Sequence, residues 1–186
     1  MQFKGGNAMS RRRSLLAWVS LIPWLPAFGA DKSLRPPLQL PFHPERKGER
    51  VAIEVRVVED RKYWLDLQLG YREGDIQDWR RVQAIAGRYE KDKDGRLIEP
   101  GVNVPLHLII TGVETQGERL IVDEKVLEQR MYGSGPRQIT KRIMGVRLRP
   151  GRYRVIVETL EEVPVLEFVS VNLSIGFDPT VAPFRE

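Results

Sequence analysis

Two alternating runs meet at Pro150-Gly151, and they constrain the fold more than any other stretch. Val146 and Leu148 alternate with Arg147 and Arg149 before the pair; Tyr153, Val155 and Val157 alternate with Arg154, Ile156 and Glu158 after it. Period-2 runs on both sides of Pro-Gly predict a β-hairpin. In a type II turn Pro150 would set its own φ and Gly151 would take the positive φ that follows. A two-stranded hairpin is marginal alone, so this one requires a larger sheet.

The same alternation recurs along the chain. Val51, Ile53, Val55 and Val57 form one face of a strand within Glu49–Glu59. Tyr63, Leu65, Leu67, Leu69 and Tyr71 form another, with Trp64, Asp66 and Gln68 behind them. Asp60-Arg61-Lys62 turns between these two strands, which predicts a second hairpin. Leu38–Phe42 reads as a short edge strand, Val102–Glu114 as a strong strand, Arg119–Leu127 as a weaker one and Phe168–Phe177 as the closing one. Gln129–Lys141 reads as a flexible, glycine-bearing loop. One segment changes period: Ile76, Trp79, Val82 and Ala86 fall at helical spacing, with Asp75 placed as N-cap and Gly87 at the C-terminal end. The expectation is mainly β, an immunoglobulin-like β-sandwich of seven to eight strands with one short inserted helix.

The N-terminus carries an export pattern. Arg11, Arg12 and Arg13 precede an apolar run from Leu15 to Phe28, and Gly29 and Ala30 supply small residues for cleavage. The run is short for a membrane span and holds Pro23 and Pro26. The expected organisation is a signal peptide at 1–30, an extended proline-rich lead-in at 31–48 and a single β-sandwich domain at 49–186. The mature protein is then periplasmic or secreted, with no integral membrane segment.

Export also alters the charge argument. The chain has 30 Lys+Arg and 25 Asp+Glu. Lys4, Arg11, Arg12 and Arg13 lie before the cleavage point, which removes no acid and leaves 26 basic against 25 acidic residues. A net charge of +1 argues against nucleic acid as a partner. There is no cysteine, so no disulfide framework exists.

The residues expected to carry chemistry read more simply as structure. His43 and His107 are the only histidines, and His107 has no ligand-like residue two or four places away, so no metal site is expected. Ser134 lies in Gly-Ser-Gly without the strand-turn-helix context or partner histidine of a nucleophile elbow. Glu161 and Glu162 are adjacent, which on a strand turns them to opposite faces. Asp92, Asp94 and Glu99 surround Gly95 without the register of a calcium loop. No catalytic residue and no cofactor is expected. Trp64, Trp79, Tyr89 and Tyr132 are the aromatics that could face a partner, and the competing expectation places the helix over Trp64 with Trp79 beside it. Tyr132, Arg137 and Trp64 are the candidate partner-binding residues, because Trp, Tyr and Arg dominate binding hot spots.

Several motifs carry a family resemblance. They are Met131-Tyr132-Gly133, Arg142-Ile143, Val146 to Val155, Glu158-Thr159-Leu160, Val163-Pro164 and Leu67 to Asp75. In these the chain resembles a domain of unknown function found in short exported proteins of Gram-negative bacteria. The resemblance spans most of the mature chain and rests on turn and core residues. It implies a β fold and, through an association with toxin–immunity loci, an immunity or inhibitor protein that neutralises a toxic enzyme; it identifies no active-site residue. The alternatives are a glycan- or ligand-binding accessory module of the cell envelope, for which an aromatic platform is expected, and a hydrolase with a pocket lined by perturbed carboxylates.

Overall fold

The computed structural model describes residues 33–184 apart from 89, 91, 92, 96–98 and 100. The expected signal peptide therefore lies outside the described residues, as do Tyr89 and Asp92. The described residues belong to one compact unit. Among the described residues, nine strands form two antiparallel sheets, with one α-helix. They are β1 Leu38–Pro41, β2 Arg50–Val57, β3 Arg61–Gly70, α1 Ile76–Ala86, β4 Leu106–Glu114, β5 Gly117–Val126, β6 Arg130–Ser134, β7 Gln138–Leu148, β8 Gly151–Thr159 and β9 Val171–Phe177. One sheet runs β1-β9-β3-β7-β6, the other β2-β8-β4-β5. The chain is mainly β, and its two sheets form a sandwich.

The alternating patterns place the core between the sheets. Leu65, Leu67 and Leu69 of β3, Leu173 and Ile175 of β9, Leu106, Leu108 and Ile110 of β4, and Val155 and Val157 of β8 are all buried. Each is followed by a residue that points the other way, as strand geometry requires.

Two connections differ from expectation. β7 and β8 do not pair with each other: β7 lies between β3 and β6 in one sheet, and β8 between β2 and β4 in the other. The Pro150-Gly151 link is thus an arch that crosses between sheets, not a hairpin turn. Gly151 is not among the glycines with positive φ. The link from β2 to β3 through Asp60 crosses in the same way. The two arches stand side by side, because β2 pairs with β8 (Val57↔Gly151) and β3 with β7 (Arg61↔Leu148).

Each arch is braced by a buried tyrosine. Tyr63 Oη donates to the Glu59 carbonyl at 3.1 Å, and Tyr153 Oη donates to the Arg149 carbonyl at 2.8 Å. Both reach back four residues, in the manner of a tyrosine corner. Asp60 joins one arch to the other, accepting from Arg147 Nε at 2.8 Å and Nη2 at 2.9 Å.

The segment expected to be a loop, Gln129–Lys141, is instead a hairpin of β6 and the start of β7. Its turn is tied down. Gly135 N–H donates to the Gln138 carbonyl at 2.8 Å, Tyr71 N–H donates to the Arg137 carbonyl at 2.9 Å, and Tyr71 Oη donates to the Gly135 carbonyl. A short strand with few apolar residues gives little periodicity to read, which explains the difference.

The helix has the predicted caps. Asp75 Oδ1 accepts from the Gln77 and Asp78 N–H groups, and Gly87 has φ +85°. Its buried stripe is Asp78, Val82, Ile85 and Ala86, whereas Ile76 is 55% exposed. Asp78 is drawn inward because its carboxylate accepts from the Arg72 N–H at 2.8 Å and from Arg81. That rotates the helix away from the face its apolar spacing suggested. Ile85 O accepts from Val102 N–H at 2.7 Å, which docks the helix on the strand-entry segment before β4.

The lead-in is stitched to both sheets. Leu34 bridges β2 next to Val55, and β1 pairs with β9 from Leu38↔Ile175 to Pro41↔Asn172.

Candidate functional site

The outer face of the five-stranded sheet carries a cluster of aromatic and cationic side chains. β3 presents Lys62, Trp64, Asp66 and Gln68 on this face, since its alternate residues fill the core. Both strands beside Trp64 offer glycine, Gly145 on β7 and Gly176 on β9. The indole lies against Gly145: a Cβ added there would stand 2.2 Å from Trp64 Cζ3. Glycine is therefore required by the close approach of the ring.

A register shift between Leu65 and Asp66 sets Asp66 opposite Arg142. Arg142 Nε donates to Asp66 Oδ1 at 2.9 Å, and Nη2 approaches Oδ2 at 3.5 Å. The guanidinium carbon stands 3.8 Å from the Trp64 ring centre and 3.5 Å from that of Tyr132. Tyr132 reaches it because β6 shifts register between Met131 and Gly133, leaving Tyr132 as the extra residue. A bulge of this kind re-aims a side chain. Burial pushes the Asp66 carboxyl above its ordinary range, and the bond and charge of Arg142 offset part of that rise. Lys62 Nζ is 4.4 Å from the Trp64 ring centre. Gln68 lies further along the same face, and its Oε1 is buried without a hydrogen-bond partner among the described residues.

The chain beyond β9 crosses this face beside the cluster. Arg61 donates to the carbonyls of Asp178 (3.3 Å) and Val181 (2.6 Å), and Phe184 N–H donates to the Asp60 carbonyl at 2.8 Å. Arg147 lies over the Phe184 ring at 4.0 Å. Between this tail and the cluster is a cleft of about 190 Å³.

The sequence-predicted residues separate into two groups. Trp64 and Tyr132 come together through Arg142, which the sequence reading did not select. Arg137 stands apart, paired with Glu73 at 2.6 Å on the β6–β7 turn. The helix does not cover Trp64, whose neighbours are Lys62, Arg142, Gly145, Tyr132 and the tail. Trp79 lines a different depression, an open groove of about 750 Å³ between the helix and Met131.

The remaining candidates fall elsewhere. His107 Nε2 and Asp123 Oδ1 are 2.6 Å apart on the opposite sheet, and His43 lies 3.3 Å from Glu45. Ser134 ends the edge strand β6, and Glu161 and Glu162 are exposed after β8. Among the described residues no three His, Cys, Asp or Glu side chains gather as metal ligands, and no helix is long and apolar enough to cross a membrane.

Comparison places this two-sheet sandwich among known folds. The crystal structure of GEBA250068378 from Sulfurospirillum deleyianum has a similar fold, with a TM-score of 0.64 at 22% sequence identity over 77% of this chain and 98% of that one. The profile of a domain of unknown function, DUF5625, matches residues 39–177, and the chain belongs to that family. No curated protein matches the chain.

Proposed function

We propose that this chain is an exported binding protein without chemistry of its own, and that it acts as a periplasmic immunity or inhibitor protein against a toxic enzyme. Export rests on the basic, apolar and small-residue order of residues 11–30. The observation that carries the binding reading is the Trp64–Arg142–Tyr132 stack on an outer sheet face, with Tyr132 59% exposed. Tryptophan, tyrosine and arginine are the residues whose truncation costs interfaces most, because they bury large areas or make paired hydrogen bonds at modest entropic cost.

The stack favours a protein over a glycan. A sugar-binding platform needs an open ring face, and here Trp64 carries both Lys62 and Arg142. A hydrolytic reading would fall on Asp66, whose carboxyl is raised, but Arg142 already holds it.

The test is calorimetric titration against the product of the neighbouring gene. Tyr132→Ala weakens binding by about 2 kcal/mol, as a hot-spot truncation does, with the melting temperature nearly unchanged. Arg137→Ala probes the far end of the hairpin separately. Absence of binding by the unaltered protein would count against the immunity role itself.

A further inference from the structure

On and beside the outer face of the five-stranded sheet, three cations are answered within the fold. Arg142 holds Asp66, Arg147 holds Asp60, and Arg61 takes Glu59. Lys62 is different. Its ammonium stands against the Trp64 ring, and among the described residues no carboxylate pairs with it. Beside it opens the cleft of about 190 Å³, walled by Trp64, Tyr132, Val181, Ala182 and Phe184. Arg61 and Asp178 also line it, and both are engaged: Arg61 as above, Asp178 by Thr180 N–H at 2.9 Å and Thr180 Oγ1 at 2.6 Å.

The tail already shows what this surface accepts. Residues 178–184 lie across the arches as a peptide segment, held through backbone carbonyls, one backbone N–H and one aromatic ring under a guanidinium. The cleft repeats those terms on its other side: ring walls, and a lysine ammonium that makes no ion pair among the described residues. Its volume has room for one ring, well below the ~300 Å³ at which pockets for drug-sized ligands begin.

We propose that the cleft is an anchor pocket for a protein partner, taking one aromatic side chain of an extended segment while a carboxylate of that segment meets Lys62. This deepens the binding reading above and rests on it.

The experiment titrates the full chain, labelled with ¹⁵N, with N-acetyl-L-phenylalanine, following the Trp64 indole N–H resonance assigned through Trp64→Phe. The controls are N-acetyl-L-phenylalaninamide, which keeps the ring and loses the charge, and acetate, which keeps only the charge. The acid gives a saturable shift with a roughly millimolar dissociation constant, as its size allows. The amide binds about threefold more weakly, the scale of one exposed ion pair. Acetate leaves the resonance unmoved. Lys62→Gln makes acid and amide equal, and Tyr132→Ala weakens both about tenfold; both replaced residues are exposed. A shift that never saturates, that centres on Trp79, or that persists unequally for acid and amide in Lys62→Gln overturns the proposal. A null titration alongside capture of the neighbouring gene product overturns the pocket and leaves the parent reading standing. A saturable titration without any protein partner supports the pocket and overturns the parent reading.

Discussion

Lys141 faces the core and is 1% exposed. Its ammonium donates to the Val102 carbonyl at 2.5 Å, and burial pulls its pKa from 10.5 down to about 8. The fold therefore prefers the neutral amine. The stability this group contributes is complete above pH 10.5 and is lost as the pH falls through about 8. Compared with Lys141→Met, the native chain gains about 3 kcal/mol of relative stability between pH 7.5 and 10.5, at 1.36 kcal/mol per pKa unit. Urea melts of both proteins across that range measure it. Gly145 is the second sensitive position. Alanine there meets Trp64 Cζ3 at 2.2 Å and Lys62 Cε at 2.7 Å. The lysine stem can swing aside, but the indole is fixed by Arg142. Gly145→Ala expels the ring at a cost of about 1–3 kcal/mol, the range for overpacking, and the tryptophan emission shifts to the red in the native state.

The arches are the elements on which the two sheets depend. Tyr63→Phe and Tyr153→Phe each remove a hydroxyl that satisfies a backbone carbonyl, and each costs about 1 kcal/mol. Denaturant midpoints decide this, with equal shifts expected because the two tyrosines occupy equivalent places. Gly151→Val is by contrast tolerated: φ is not positive, and a Cβ meets nothing nearer than Tyr153 at 3.5 Å. Alternation made the strands legible, and Asp75 and Gly87 made the helix ends legible. The pairing of strands was not legible, because Pro-Gly marks where a chain turns without saying which sheet receives it. Leu148 to Gly151 spans three residue intervals, about 10 Å when extended, and face-to-face sheets pack about 10 Å apart. The link is long enough to cross, and the packing of Tyr153 against its own arch decides that it does. Part of the site was hidden for a similar reason. Trp64 and Tyr132 stood out by type, whereas Arg142 acquires meaning only from Asp66, 76 residues away, and from a strand that looked like a loop.

At the scale of the molecule, the lead-in covers the edge of β9 with β1 and touches the edge of β2 at Leu34. Unpaired edges invite association with other chains. A protein lacking residues 33–41 melts about 5 °C lower or more and self-associates, which differential scanning calorimetry and light scattering check. Leu38 pairs with Ile175, so nearly the whole domain lies between the two partners. A ribosome delivers the chain from its first residue onward. β1 then emerges early and waits, its hydrogen-bonding groups open, until the last strand follows. Closure of the five-stranded sheet is a terminal event in synthesis, and the interval before it is when an escort that masks bare strands would have its work.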